Sequence, residues 1–133
     1  MAGVLLPDVE AAIITALRAR LDARPEYSAG EVWIGNVLPS PVPAYAILVR
    51  NDGGSFLGDV RATVRVGVNV FAPTLEDASD LANLTAALLQ ATEGDGPIRK
   101  VRVTLTPYRM NDETGHPRMY LITEITFRSW VTI

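Results

Sequence analysis

A chain of 133 residues is the length of one domain, and a single core is expected over residues 1–133. With 12 Lys+Arg against 15 Asp+Glu the formal net charge is −3, so no global basic field recruits nucleic acid or acidic lipid. The absence of Cys removes disulfides, thiolate metal sites and cysteine nucleophiles.

The opening run Met1-Ala2-Gly3-Val4-Leu5-Leu6 lacks a basic leader and meets Pro7 and Asp8 too soon for a signal peptide. The longest charge-free apolar stretch, residues 37–49, holds three prolines and is too short to span a bilayer. A cytoplasmic product is expected. Pro7 suits a first helical turn, and Asp8 and Glu10 sit where the helix dipole favours negative charge. Val9, Ile13, Leu17 and Leu21 recur every four residues, with Arg18, Arg20 and Arg24 placed late, so a helix is expected to about Arg24.

Pro25 ends it, and residues 26–30 form a polar connector into a strand over residues 31–38, with Gly35 as a bulge or weak point. Pro39, Pro41 and Pro43 alternate, which enforces extended backbone in a stiff connector or edge segment. Residues 44–50 read as a short apolar strand, and Asn51-Asp52-Gly53-Gly54 as a turn. Gly53, Gly54 and Gly58 lack the Lys-Ser/Thr that a phosphate-binding loop carries after its last glycine.

The chain is organised around its next stretch. From residue 60 to 70 the even positions are Val60, Ala62, Val64, Val66, Val68 and Val70, and the odd ones Arg61, Thr63, Arg65, Gly67 and Asn69. That strict alternation gives a strand with one face for a core and one for something wetter. Pro73 stops the ladder, and Thr74 with Asp77 makes a capping-box-like start to a helix whose stripe is Ala78, Leu81, Ala82, Leu88 and Leu89. Gly94-Asp95-Gly96-Pro97 supplies a C-cap and a stop.

Residues 98–107 form a strand with Val101, Val103 and Leu105 on one face and Lys100, Arg102, Thr104 and Thr106 on the other. Residues 108–117 are a polar connection longer than a tight hairpin needs. Residues 118–133 close the chain as a long strand, with Met119, Leu121, Ile125, Phe127, Val131 and Ile133 toward the core, while Tyr120, Ile122 and Trp130 make the other face partly apolar. The element order is α-β-β-β-α-β-β. The expected fold is α+β, a mostly antiparallel sheet with two helices packed on one face. The half-apolar opposite face is expected to meet something.

No constellation for chemistry emerges. His116 is the single histidine, and with Asp112 and Glu113 it matches no metal-ligand spacing. Asn111-Asp112-Glu113 lacks the EF-hand pattern. Ser28, Ser40, Ser55, Ser79 and Ser129 sit in no Gly-x-Ser-x-Gly elbow. No catalytic, metal or cofactor site is therefore expected. Arg61 and Arg65 either pair with carboxylates of a neighbouring subunit or remain solvated charges. Trp33 and Trp130 are large enough to anchor an interface, or else belong to the core or its edge.

The layout resembles the tail-terminator proteins of long-tailed, siphovirus-type bacteriophages. The resemblance runs through Pro7-Asp8-Val9-Glu10-Ala11-Ala12-Ile13, Val68-Asn69-Val70-Phe71-Ala72-Pro73, the helix from Thr74 to Ala82, Val101-Arg102-Val103-Thr104-Leu105-Thr106-Pro107-Tyr108, and the strand from Met119 to Trp130. It implies a virion structural protein, assembled in the host cytoplasm, that caps the finished tail tube as a ring, typically hexameric. Such a ring stops tube polymerisation and provides the head-joining surface, with no cofactor, membrane or bond chemistry.

Its partners would be copies of itself, the tail tube protein and a neck protein at the head connector. A domain of this length has a radius of gyration of about 14 Å, and six touching spheres leave a hole of order 35 Å, wide enough for DNA to pass without specific binding. An acidic chain suits a lumen that neutralises few phosphates. Head-to-tail rings use two different patches, for which Trp33, Arg61, Arg65 and Trp130 are the interface candidates. The connection carrying Tyr108, Arg109, Asn111, Asp112, Glu113 and His116 is the candidate contact for an axial partner. The alternatives are another neck or head-closure protein, a small cytoplasmic enzyme, or a nucleic-acid-binding domain. A deep pocket converging on His116 with a carboxylate would favour the enzyme, and a continuous Arg/Lys stripe the nucleic-acid binder.

Overall fold

The computed structural model describes residues 4–58, 60–113, 115–128 and 131–132. The elements run β1 (Val4–Leu5), α1 (Val9–Asp22), β2 (Trp33–Gly35), β3 (Ala46–Phe56), β4 (Arg61–Phe71), α2 (Leu75–Ala91), β5 (Ile98–Met110), β6 (Arg118–Arg128) and β7 (Val131–Thr132). Five strands form one sheet in the order β2-β3-β4-β6-β5, antiparallel except for β2 against β3. Both helices pack on one face, so the expected two-layer α+β architecture is borne out. A separate ribbon joins β1 to β7, Val4 opposite Thr132.

The alternation in β4 sets the layers. Val64, Val66, Val68 and Val70 are buried, and their neighbours on β6 are Ile125, Thr123, Leu121 and Met119. From above, α1 lays down Val9, Ile13, Leu17 and Leu21, and α2 lays down Ala78, Leu81, Ala82, Ala86 and Leu89. Each large aliphatic side chain so buried contributes roughly 1.5–3 kcal/mol. Both helices start where side-chain oxygens take up free backbone donors. Asp8 accepts from the Ala11 amide at 3.1 Å, and Thr74 accepts from the Asp77 amide at 3.1 Å.

Several boundaries depart from the sequence reading, among them the strand expected over residues 118–133, which is divided between β6 and β7, the latter paired with β1. The Asn51-Asp52-Gly53-Gly54 stretch is no turn: β3 runs through it with a bulge, and the chain reverses later, where Leu57 N–H donates to Arg61 O at 2.9 Å. Gly54 lies so close to β4 that a Cβ there would sit 1.8 Å from Thr63 O, so this glycine serves a close strand approach. The strand expected over residues 31–38 shrinks to β2 and pairs in parallel, because the proline-rich residues 36–45 carry the chain back to start β3 alongside it. On β5, a register shift between Val103 and Leu105 turns Leu105 away from the helices, out of the company of Val101. The same strand continues to Met110, so Tyr108 and Arg109 stand on it and the connection proper is 111–117.

Candidate interaction surface

The helices pack on one face of the sheet and leave the other open, although Asn69, Phe71 and Ile122 on that other face are buried. Strand register brings its side chains into rows. Arg61 stands opposite Arg128, and Thr63 opposite Thr126 beside Lys100. Arg65 stands opposite Glu124 beside Arg102. Arg50, Gly67, Ile122 and Leu105 form the next row, then Leu48, Asn69, Tyr120 and Tyr108. Phe71, Arg118 and Met110 end the sequence of rows.

Charge is therefore segregated. The open face carries Arg50, Arg61, Arg65, Lys100, Arg102, Arg118 and Arg128 against the carboxylates of Glu124 and Asp52, while the whole chain is acidic. The cations of the helix layer are paired. Arg18 meets Asp22 at 3.2 Å, Arg20 meets Asp95 at 2.8 Å and Arg24 meets Glu26 at 2.7 Å. On the open face only Arg118 has an ion-pair contact among the described residues, 4.0 Å from Asp112. At the end nearest the β3–β4 turn a depression is lined by Arg61, Arg99, Lys100 and Thr126, with Leu57 and Val60 as its apolar wall.

The other end of the face is aromatic. Trp33 is half-buried, its ring lying over Gly35, where a Cβ would come within 2.5 Å of the indole. Tyr108 and Tyr120 meet edge to face, ring centroids 6.0 Å apart. Burial, followed by the negative charge of Asp52, raises the Tyr120 phenol above its ordinary pKa. Arg118 lies 5.9 Å from the Phe71 ring centroid and donates from Nε and Nη2 to the buried Asn69 Oδ1, at 2.8 and 2.5 Å. Gly67 leaves a concavity of about 240 Å³ between these groups, bordered by Arg50, Asp52, Arg118 and Tyr120.

Of the interface candidates, then, Trp33, Arg61 and Arg65 all stand on this face, at opposite ends of it. Trp130 lies outside the described residues. The axial-loop candidates are divided. Tyr108 belongs to the open face and Arg109, opposite Met119, to the other. Asn111, Asp112, Glu113 and His116 are on the β5–β6 connection, where His116 Nδ1 is 3.6 Å from Asp112 Oδ2.

A concavity of about 260 Å³ lies beside this connection, reaching Leu75 at the start of α2 and lined by Arg109, Asp112, His116 and Arg118. Its described lining offers a histidine and a carboxylate but no hydroxyl or thiol nucleophile. No group of three or more metal-ligating side chains occurs among the described residues. No described helix is long and apolar enough to cross a membrane.

Sequence reading named Arg61 and Arg65 but left out Arg50, Lys100, Arg102, Arg118 and Arg128 as members of the same surface. Their positions on polar strand faces were visible. Their convergence depends on which strands pair.

No protein-family model matches the chain, and no curated protein matches it. Among solved structures, a chain from the "Virion of native gene transfer agent (GTA) particle" is similar at 13% identity and a TM-score of 0.45, covering 92% of this chain and 99% of that one. A second solved chain is similar at 21% identity and a TM-score of 0.45, covering 92% of this chain and 94% of the other. Both mark a distant likeness.

Proposed function

We propose that this protein is a phage virion structural component of the tail-terminator type. Copies assemble head to tail as a ring, hexameric by the resemblance, on the end of the finished tail tube. The ring stops tube growth and presents the surface that joins the head, at the neck of the virion. DNA passes through it. The work is done by binding surfaces, with no bond made or broken.

The observation that carries this reading is the uncovered sheet face. One layer of helices covers one side of the sheet, while the other side offers Trp33, Tyr108, Tyr120 and arginines without ion-pair partners among the described residues. A head-to-tail contact needs two dissimilar patches, and the Trp33 end of this face supplies one of them. The sequence resemblance supports the reading independently, since its stretches fall on α1, β4, α2, β5 and β6.

The test is the mass of the purified protein in solution across a range of concentrations, followed by electron microscopy. Closed rings that bind the ends of tail tubes are expected. A strict monomer at every concentration overturns the proposal, and rings that bind only the head connector assign the protein to the neck instead.

A further inference from the structure

The half of the open face nearest the β3–β4 turn collects most of the cations on that face. Arg61, Arg65, Lys100, Arg102 and Arg128 occupy three successive rows across β4, β6 and β5, and Arg99 joins them at the bulge beside Lys100. Rows two residues apart are about 7 Å from one another and strands about 4.8 Å apart, so the patch measures about 14 Å by 10 Å. Glu124 is the one carboxylate within it among the described residues. None of the six cations has an ion-pair partner among the described residues, and all six are exposed.

We infer that this patch binds the phosphate backbone of double-stranded DNA without reading its sequence. The contact is separate from ring assembly and does not depend on it. Charge complementarity selects the partner, since six cations around one carboxylate among the described residues match a polymer that presents a negative charge for every 1.7 Å or so of its axis.

A second copy of the chain is the rival occupant, with part of its set of carboxylates already engaged. Asp8 caps α1, Glu10 accepts from Asn36 and Asn51, and Glu93 accepts from the Val101 amide. Asp22, Glu26 and Asp95 pair with arginines of their own chain. A duplex suits the patch better than a single strand, since the cations spread across three strands and the nearest rings, Tyr108 and Tyr120, pack on each other instead of standing free to stack on bases. Backbone contacts of this kind hold DNA and still let it slide. The net charge of the chain gave the opposite expectation because it averages this face with an acidic helix layer.

The experiment is fluorescence anisotropy of a labelled random-sequence DNA duplex titrated with the full-length protein, repeated between roughly 50 and 200 mM salt. About five neutralised phosphates give log K a slope of about −4 to −5 against log salt, equal for unrelated sequences. Arg65→Gln with Arg102→Gln should weaken binding at least about tenfold at fixed salt and flatten the slope by about two. Lys100→Gln alone should flatten it by about one, and Arg24→Gln on the helix layer should change nothing.

No binding at low salt overturns the inference, as does unchanged binding by the double variant or tighter binding to a single strand. If the double variant instead loses self-association while the wild type binds no duplex, the occupant is another subunit. Sedimentation run alongside separates the two proposals, because a variant deficient in DNA binding should still form the wild-type oligomer.

Discussion

Arg20 and Asp95 share two hydrogen bonds, Nε to Oδ2 at 2.8 Å and Nη2 to Oδ1 at 2.9 Å, which fasten α1 to the turn between α2 and β5. The bonds from Arg20 hold the Asp95 carboxyl below its ordinary pKa of 3.8, against a smaller opposing effect of desolvation. A depressed carboxyl stabilises the fold at pH values above the unfolded pKa and loses that contribution as pH falls through the folded value. Wild type should therefore melt above Arg20→Met at neutral pH, with the gap closing as pH drops below about 3.8. Melting curves for the two proteins from pH 7 to pH 2.5 or so check this; a gap that persists at the acid end contradicts it.

Two adjacent glycines in β3 should respond differently to alanine. At Gly54 a methyl group would collide with Thr63 O, a backbone atom that moves only if β4 moves, so Gly54→Ala should cost about 3 kcal/mol or more. At Gly53 there is open space but φ is +89°, and Gly53→Ala should cost about 1–2 kcal/mol from the backbone alone. Urea unfolding of both variants gives the comparison. Equal losses would mean that the strands separate easily at the bulge.

Trp33→Ala and Arg65→Gln probe opposite ends of the open face. Each should leave a folded chain, because Trp33 is half-buried on a three-residue strand and Arg65 is exposed. Light scattering after size exclusion should show impaired assembly for Trp33→Ala and wild-type assembly for Arg65→Gln. Normal assembly by Trp33→Ala removes its end of the face from the subunit interface.

Deleting residues 111–115 shortens the β5–β6 connection and takes away Asp112, which links to His116 and Arg118. Ring formation should survive, whereas tube capping or head joining should fail. A phage carrying the deletion and infecting normally would end the case for this loop as the axial contact.

Where structure follows from neighbours in sequence, the reading was sound. Thr74 caps α2 through the Asp77 amide, Pro73 follows the end of β4 by two residues, and the valines of β4 face the helices, all from contacts within a few positions. Errors arose where a distant strand decides. Asn51-Asp52-Gly53-Gly54 has the composition of a turn, yet the approach of β4 to Gly54 makes it a bulge. Leu105 looked like a companion of Val101 until a displaced register put it beside Ile122. The basic surface was hidden for the same reason. Arg61 and Arg128 are far apart in the chain, and only the antiparallel pairing of β4 with β6 makes them neighbours.

The irregular register of β5 also bears on how the molecule survives at high concentration. As an outermost strand of 13 residues it would otherwise be an ideal template for a foreign chain to zip onto. Three interruptions against β6, at 98/100, 103/105 and 105/108, break the even spacing of its outward amides and carbonyls. A newcomer cannot match that cadence for more than a few residues, so fibril-like accretion finds no continuous rail to follow.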